Sequence, residues 1–102
     1  MDVLTRIKWA VLTGRYAFSR KARIEMQSDD LIEVDIAESI LNAQDIYKKL
    51  RSTSHLRNNR REYLYVIQGT NLDGLVIYTK GKFVEGEGTE MYYFLVSSKL
   101  AL

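Results

Sequence analysis

Near residue 45 the hydrophobic period of this chain changes, and that switch constrains its fold more than any other feature. Before it, apolar residues recur at the spacing of amphipathic helices; after it, they follow the two-residue period and composition of strands. Residues 2–13 place Val3, Leu4, Ile7, Val11 and Leu12 at helical spacing, with Gly14 as a C-terminal stop. Trp9 is expected to pack this helix onto the body. Tyr16–Phe18 is a short extended lead-in. Residues 19–28 read as a second helix, N-capped by Ser19 and turning Ala22 and Met26 inward. Asp30 followed by Glu33 resembles a helix start, and Val34, Ala37, Ile40 and Leu41 make one apolar stripe to about residue 43.

Residues 45–51, 62–69, 75–80 and 90–98 read as strands; the second is rich in Tyr, Val and Ile, which suit a pleated sheet. Asn71-Leu72-Asp73-Gly74 is a turn signal, and Glu85-Gly86-Glu87-Gly88 marks a hairpin loop. Consecutive strands with short connections pair antiparallel. The expectation is an α+β fold in which N-terminal helices pack on one face of a four-stranded antiparallel sheet. Its 102 residues fit a single domain spanning 1–102. The absence of Pro suits uninterrupted strands.

Composition removes several chemistries. With no Cys there is no disulfide scaffold, thiolate nucleophile or Cys-bound zinc. A single His excludes His-cluster metal sites and acid–base catalysis by paired histidines. No cofactor or metal is expected. No apolar run approaches the roughly 18 residues that span a bilayer. The first 15 residues lack the apolar stretch and cleavage site of a signal peptide, so a cytoplasmic protein without membrane contact is expected.

The formal charge of +2 hides a segregation along the chain. Residues 1–24 are basic, residues 25–47 carry acids and no Lys or Arg, and residues 48–61 carry Lys48, Lys49, Arg51, Arg57, Arg60 and Arg61, with His55 and no acid. Such a basic block points to an anion or nucleic-acid surface. If helices cover one face of the sheet, the other is free to bind. There Val76, Tyr78 and Lys80 share a face of the third strand, and Tyr93, Leu95, Ser97 and Lys99 are expected to share a face of the fourth. A surface of Lys, Arg and Tyr can hold a phosphate backbone and stack a base.

One reaction needs neither metal nor paired histidines. The 2′-hydroxyl of RNA attacks the adjacent phosphate when a base takes its proton, cations stabilise the phosphorane and an acid protonates the leaving 5′-oxygen. Tyr and Lys can carry those protons only if neighbouring cations or burial draw their pKa values down from about 10. Arg suits the phosphorane because its planar fork binds phosphate bidentately.

Residues 16–50 resemble the DUF4258 family, with Lys21 standing at the usual family His. The resemblance extends through the tyrosine-rich strands, over 16–98, and implies kinship with the RelE/ParE-like toxins of bacterial toxin–antitoxin modules. The chain is also similar, in short pieces over nearly its whole length, to the motility quorum-sensing regulator (MqsR) toxins, which are ribonucleases. Ile7-Lys8 through Gly14 resembles their opening helix; Asp45-Ile46-Tyr47-Lys48, their Asp-Phe-Tyr-Lys motif; Ser54-His55, the region that follows it; Ile77-Tyr78-Thr79-Lys80, their Val-Tyr-x-Lys strand; and Ser97-Ser98-Lys99, their terminal Ser-Phe-Lys. This resemblance implies Lys48, Tyr78 and Lys99 as catalytic residues, with the family glutamine falling nearest Arg61 or displaced to Gln68. Lys49, Arg51, His55, Arg57, Arg60, Arg61 and Lys80 would bind RNA. The implied protein is the toxin of a type II toxin–antitoxin module, a metal-independent mRNA endoribonuclease that acts on free or ribosome-bound RNA. Its other partner would be a cognate antitoxin, of the zinc-finger type, docking on the acidic helix 29–38 or the basic loop. A non-catalytic RNA- or protein-binding module of the same fold is the alternative, and a ParE-like attack on gyrase is a third.

Overall fold

The computed structural model describes residues 1–51, 62–86, 88 and 90–102. Three helices come first: α1 (Val3–Leu12), α2 (Arg20–Ser28) and α3 (Glu33–Asn42), with the short strand β1 (Tyr16–Phe18) between the first two. Strands β2 (Lys48–Arg51), β3 (Tyr63–Thr70), β4 (Val76–Glu85) and β5 (Met91–Leu100) follow.

The sheet has five strands in the order β1-β5-β4-β3-β2, and not four. The extra strand is the Tyr16–Phe18 lead-in, which pairs parallel with β5 and makes the sheet mixed. The other neighbours pair antiparallel, as expected from their short connections.

The helix ends follow from local chemistry. Asp2 caps α1 by accepting from the Thr5 N–H at 2.8 Å, a bond that holds its carboxyl below the usual range. Ser19 caps α2 through the Ala22 N–H at 3.0 Å. Gly14 closes α1 with φ of 74°, and the Arg15 N–H returns to the Ala10 carbonyl at 2.8 Å. Asp30 does for α2 what Gly14 does for α1: its φ is 55°, and the Leu31 N–H reaches the Met26 carbonyl at 2.8 Å. The Asp30 signal therefore ends α2 and does not start α3. The N-cap of α3 is Ile32, whose N–H donates to the Asp35 carboxylate at 2.9 Å.

α1 and α3 cover one face of the sheet, and α2 runs along β5. Ile7, Ala22, Met26, Ile36, Ile40, Tyr65, Ile67, Ile77, Tyr93 and Leu95 form the centre of the core. Two of the expected contacts differ. Val34 is exposed, and α3 buries Ile36 and Ser39 together with the expected Ile40. The reason is a close approach: a Cβ on Gly69 would collide with the Ser39 carbonyl, so a small side chain and a glycine let α3 sit directly on β3. Trp9 is 50% exposed and does not pack the helix onto the body; Ile7, Ala10 and Val11 do that.

Candidate functional site

Strand alternation assigns the two faces of the sheet. On β4, Ile77, Thr79 and Gly81 are buried toward the helices, which leaves Val76, Tyr78 and Lys80 on the opposite face. On β5 the alternation is broken. Lys80 pairs with Ser97 while Gly81 pairs with Leu95, so Val96 is an extra residue. Tyr93 and Leu95 point into the core, whereas Ser97, itself buried, and the exposed Lys99 lie on the opposite face beside Lys80 and Tyr78. The four β5 residues therefore do not share a face. The bulge moves Lys99 to the side where Tyr78 lies.

Two rows of side chains result. Lys48, Val66, Lys80 and Ser97 lie in register across β2, β3, β4 and β5. The next row is Gln68, Tyr78 and Lys99. The Lys99 ammonium lies 5.4 Å from the centroid of the Tyr78 ring. Gln68, Val76, Tyr78, Lys99 and the segment Leu100–Leu102 line an open concavity of about 530 Å³. Lys48 belongs to the same face but lies two strands from Lys80, about 10 Å away at ordinary strand spacing. Val66, between them in register, is 2% exposed although it lies outside the core cluster.

A residue that sequence reasoning passed over organises one side of this site. The Glu25 carboxylate, on α2, accepts from the Ser97 hydroxyl at 2.7 Å and from the Ser98 N–H at 3.1 Å with one oxygen. Its other oxygen lies 3.9 Å from the Lys99 ammonium and 3.8 Å from that of Lys21. One turn on, Asp29 accepts from the Leu100 N–H at 2.9 Å. The helix thus satisfies the N–H groups that β5 turns away from β4 beyond the end of β1. Glu25 and Asp29 flank the buried Ala22 and Met26 at four-residue spacing, and that pattern is the signal that separates them from a solvated acidic face.

The remaining predicted RNA contacts divide. Lys80 joins the open face. Lys49 and Arg51 pair with Tyr65 and Tyr63, on the helix side of β2, and the Lys49 ammonium lies 4.2 Å from the Tyr63 ring centroid. They do not share a face with Lys48, Tyr78 and Lys99. His55, Arg57, Arg60 and Arg61 lie outside the described residues. Among the described residues, no helix is long and apolar enough to cross a membrane.

No family model matches this chain, and no curated protein or solved structure does.

Proposed function

We propose that the open sheet face binds RNA and cuts its backbone without a metal, and that the protein is the toxin of a type II toxin–antitoxin module held in check by a cognate antitoxin. The observation that carries the reading is the placement of Tyr78 beside Lys99, with Lys80 and Lys48 in the adjoining row of the same face. Three ammonium groups in two rows suit a phosphate and the extra charge that builds on the phosphorane. Tyr78 and Lys99 are the adjacent proton-carrying groups. One set of groups takes the 2′-hydroxyl proton and returns a proton to the departing 5′-oxygen, leaving a 2′,3′-cyclic phosphate and a 5′-hydroxyl. Gln68, in register with Tyr78, supports the option that the family glutamine is displaced to that position. The order of short motifs that resembles the MqsR toxins supports the same assignment.

The test is incubation of the purified chain with a defined RNA in EDTA, with and without ribosomes. Fragments bearing cyclic-phosphate ends are expected. RNA left intact in both conditions rejects the reading. Tyr78→Phe and Lys99→Ala should each slow cutting by about 100-fold, the usual size of a lost proton-transfer group, with a smaller loss for Lys48→Ala. Unchanged rates in all three would reject the site.

One observation favours a second reading, a non-catalytic module that binds RNA or protein: Lys99 already faces a carboxylate, Glu25. That reading predicts salt-sensitive RNA binding with no cleavage.

A further inference from the structure

The half-exposed Trp9 borders a second cavity, of about 480 Å³, between α1 and the β4–β5 hairpin. It lies on the helix side of the sheet, where Phe83 stacks edge-on against Tyr93, and not on the face of Tyr78 and Lys99. Its size falls in the range of small-molecule sites, and its lining combines aromatic and apolar walls with a few charged groups, as such sites do. Phe83 and Met91 are apolar walls, and the Trp9 indole is half open to solvent beside them.

Two cations line this cavity, and neither forms an ion pair among the described residues. The Arg6 guanidinium lies 4.5 Å from the Phe83 ring centroid. The Arg15 Nε is buried and meets no acceptor among the described residues. A buried guanidinium N–H without an acceptor is unfavourable, and Arg15 is part of the lining, which places its positive charge beside an anion held in the cavity. The lining also holds one acid, Glu90, which is exposed at the hairpin end.

We propose that this cavity is a nucleotide site: the base stacks on Trp9, and Arg6 and Arg15 hold the phosphate. Flat aromatic and guanidinium surfaces stack unpaired bases, and the arginine fork suits phosphate oxygens. The same chemistry is offered by a free mononucleotide or by one nucleotide of a single strand. The assignment stands whether or not the open face cleaves RNA, since it uses none of the same residues.

Trp9 is the only tryptophan in the chain, so its fluorescence reads the site directly. The full chain is titrated with nucleoside monophosphates, with the matching nucleosides, with a short 2′-O-methyl oligonucleotide that cannot be cut, and with an acidic peptide. Saturable quenching is expected from the monophosphates or the oligonucleotide, and at least tenfold weaker binding from nucleosides lacking phosphate. Quenching by the monophosphates identifies free nucleotide as a ligand; quenching by the oligonucleotide alone identifies the strand. Arg6→Ala should weaken binding about tenfold, and so should Arg15→Lys, which keeps the charge and removes the fork. Arg6 is exposed, so its variant tests the site even if the Arg15 variant folds poorly. No saturable quenching by any nucleotide, equal binding of nucleoside and monophosphate, or quenching by the acidic peptide alone would overturn the assignment.

Discussion

Tyr93 and Tyr78 stand on neighbouring strands of one sheet in opposite settings. Tyr93 is fully buried, edge-on to Phe83 at 5.4 Å, with its ring where a side chain on Gly81 would be. Its hydroxyl has no hydrogen-bond partner among the described residues. Tyr78 lies half-buried on the open face with the Lys99 ammonium above its ring. The same residue type thus contributes apolar area on one face and a polar tip beside a cation on the other. What separates them is a glycine that leaves room for one ring and a bulge that delivers a lysine to the other.

The largest effect should come from truncating the buried member. Tyr93→Ala removes a ring packed against Phe83 and is expected to cost about 3–5 kcal/mol in urea denaturation, the range for large aromatics in cores. Tyr78→Phe should stay within about 0.5 kcal/mol of the parent, because it deletes only a surface hydroxyl, while cutting activity falls. If Tyr78→Phe destabilised the protein as strongly as Tyr93→Ala, the contrast between the faces would fail, and Tyr78 would be a packing residue.

A smaller effect sharpens the boundary between the faces. Glu25→Ala deprives the Ser97 hydroxyl and the Ser98 N–H of their acceptor, for an expected loss of about 2 kcal/mol, typical of hydrogen bonds to a charged group. Glu25→Gln keeps an acceptor oxygen and removes the charge near Lys99, so it should cost less than half as much in thermal unfolding. Equal losses from the two substitutions would show that the carboxylate matters through its charge and not as the acceptor for β5.

Much of this architecture is legible in the chain. Ser19, Gly14, the Ala22/Met26 pair and the β3 run each obey a local rule, and each element formed where its rule placed it. One failure is local: Asp30 takes a left-handed turn that closes α2 and does not start α3. The other failures are non-local. Three residues, Tyr16–Phe18, are too few to show a period, and only β5 makes them a strand. The Val96 bulge is invisible in the alternation of β5 because it exists only relative to β4. β4 and β5 run on to Glu85 and Leu100, past the predicted ends at 80 and 98, since Gly81 gives the Tyr93 ring space and α2 completes the bonding of the far end of β5. In the site, Tyr78 and Lys80 could be placed from one strand. The pairing of Lys99 with Tyr78, and the approach of Glu25, depend on contacts between segments far apart in sequence.

A small effect at neutral pH becomes the most specific one in alkali. Burial pushes the Tyr93 phenol well above its ordinary value of about 10, and the neighbouring Tyr65 raises it further. In the unfolded chain the same phenol ionises near 10. Above that pH the unfolded state therefore holds fewer protons than the folded one, and stability falls as pH rises, by up to about 1.4 kcal/mol per pH unit from this group. Below pH 10 both states keep the proton and the contribution is constant. Tyr93→Phe keeps the ring and deletes a hydroxyl that has no partner among the described residues, so its stability at pH 7 should lie within about 1 kcal/mol of the parent. Between pH 10 and 11.5, urea unfolding of the variant should lose less stability than the parent, and the gap should widen with pH. Tyr78→Phe should show no such gap. Parallel curves for parent and Tyr93→Phe would mean that the phenol finds an acceptor or solvent in the folded state, and the contrast between the two tyrosines would then rest on packing alone.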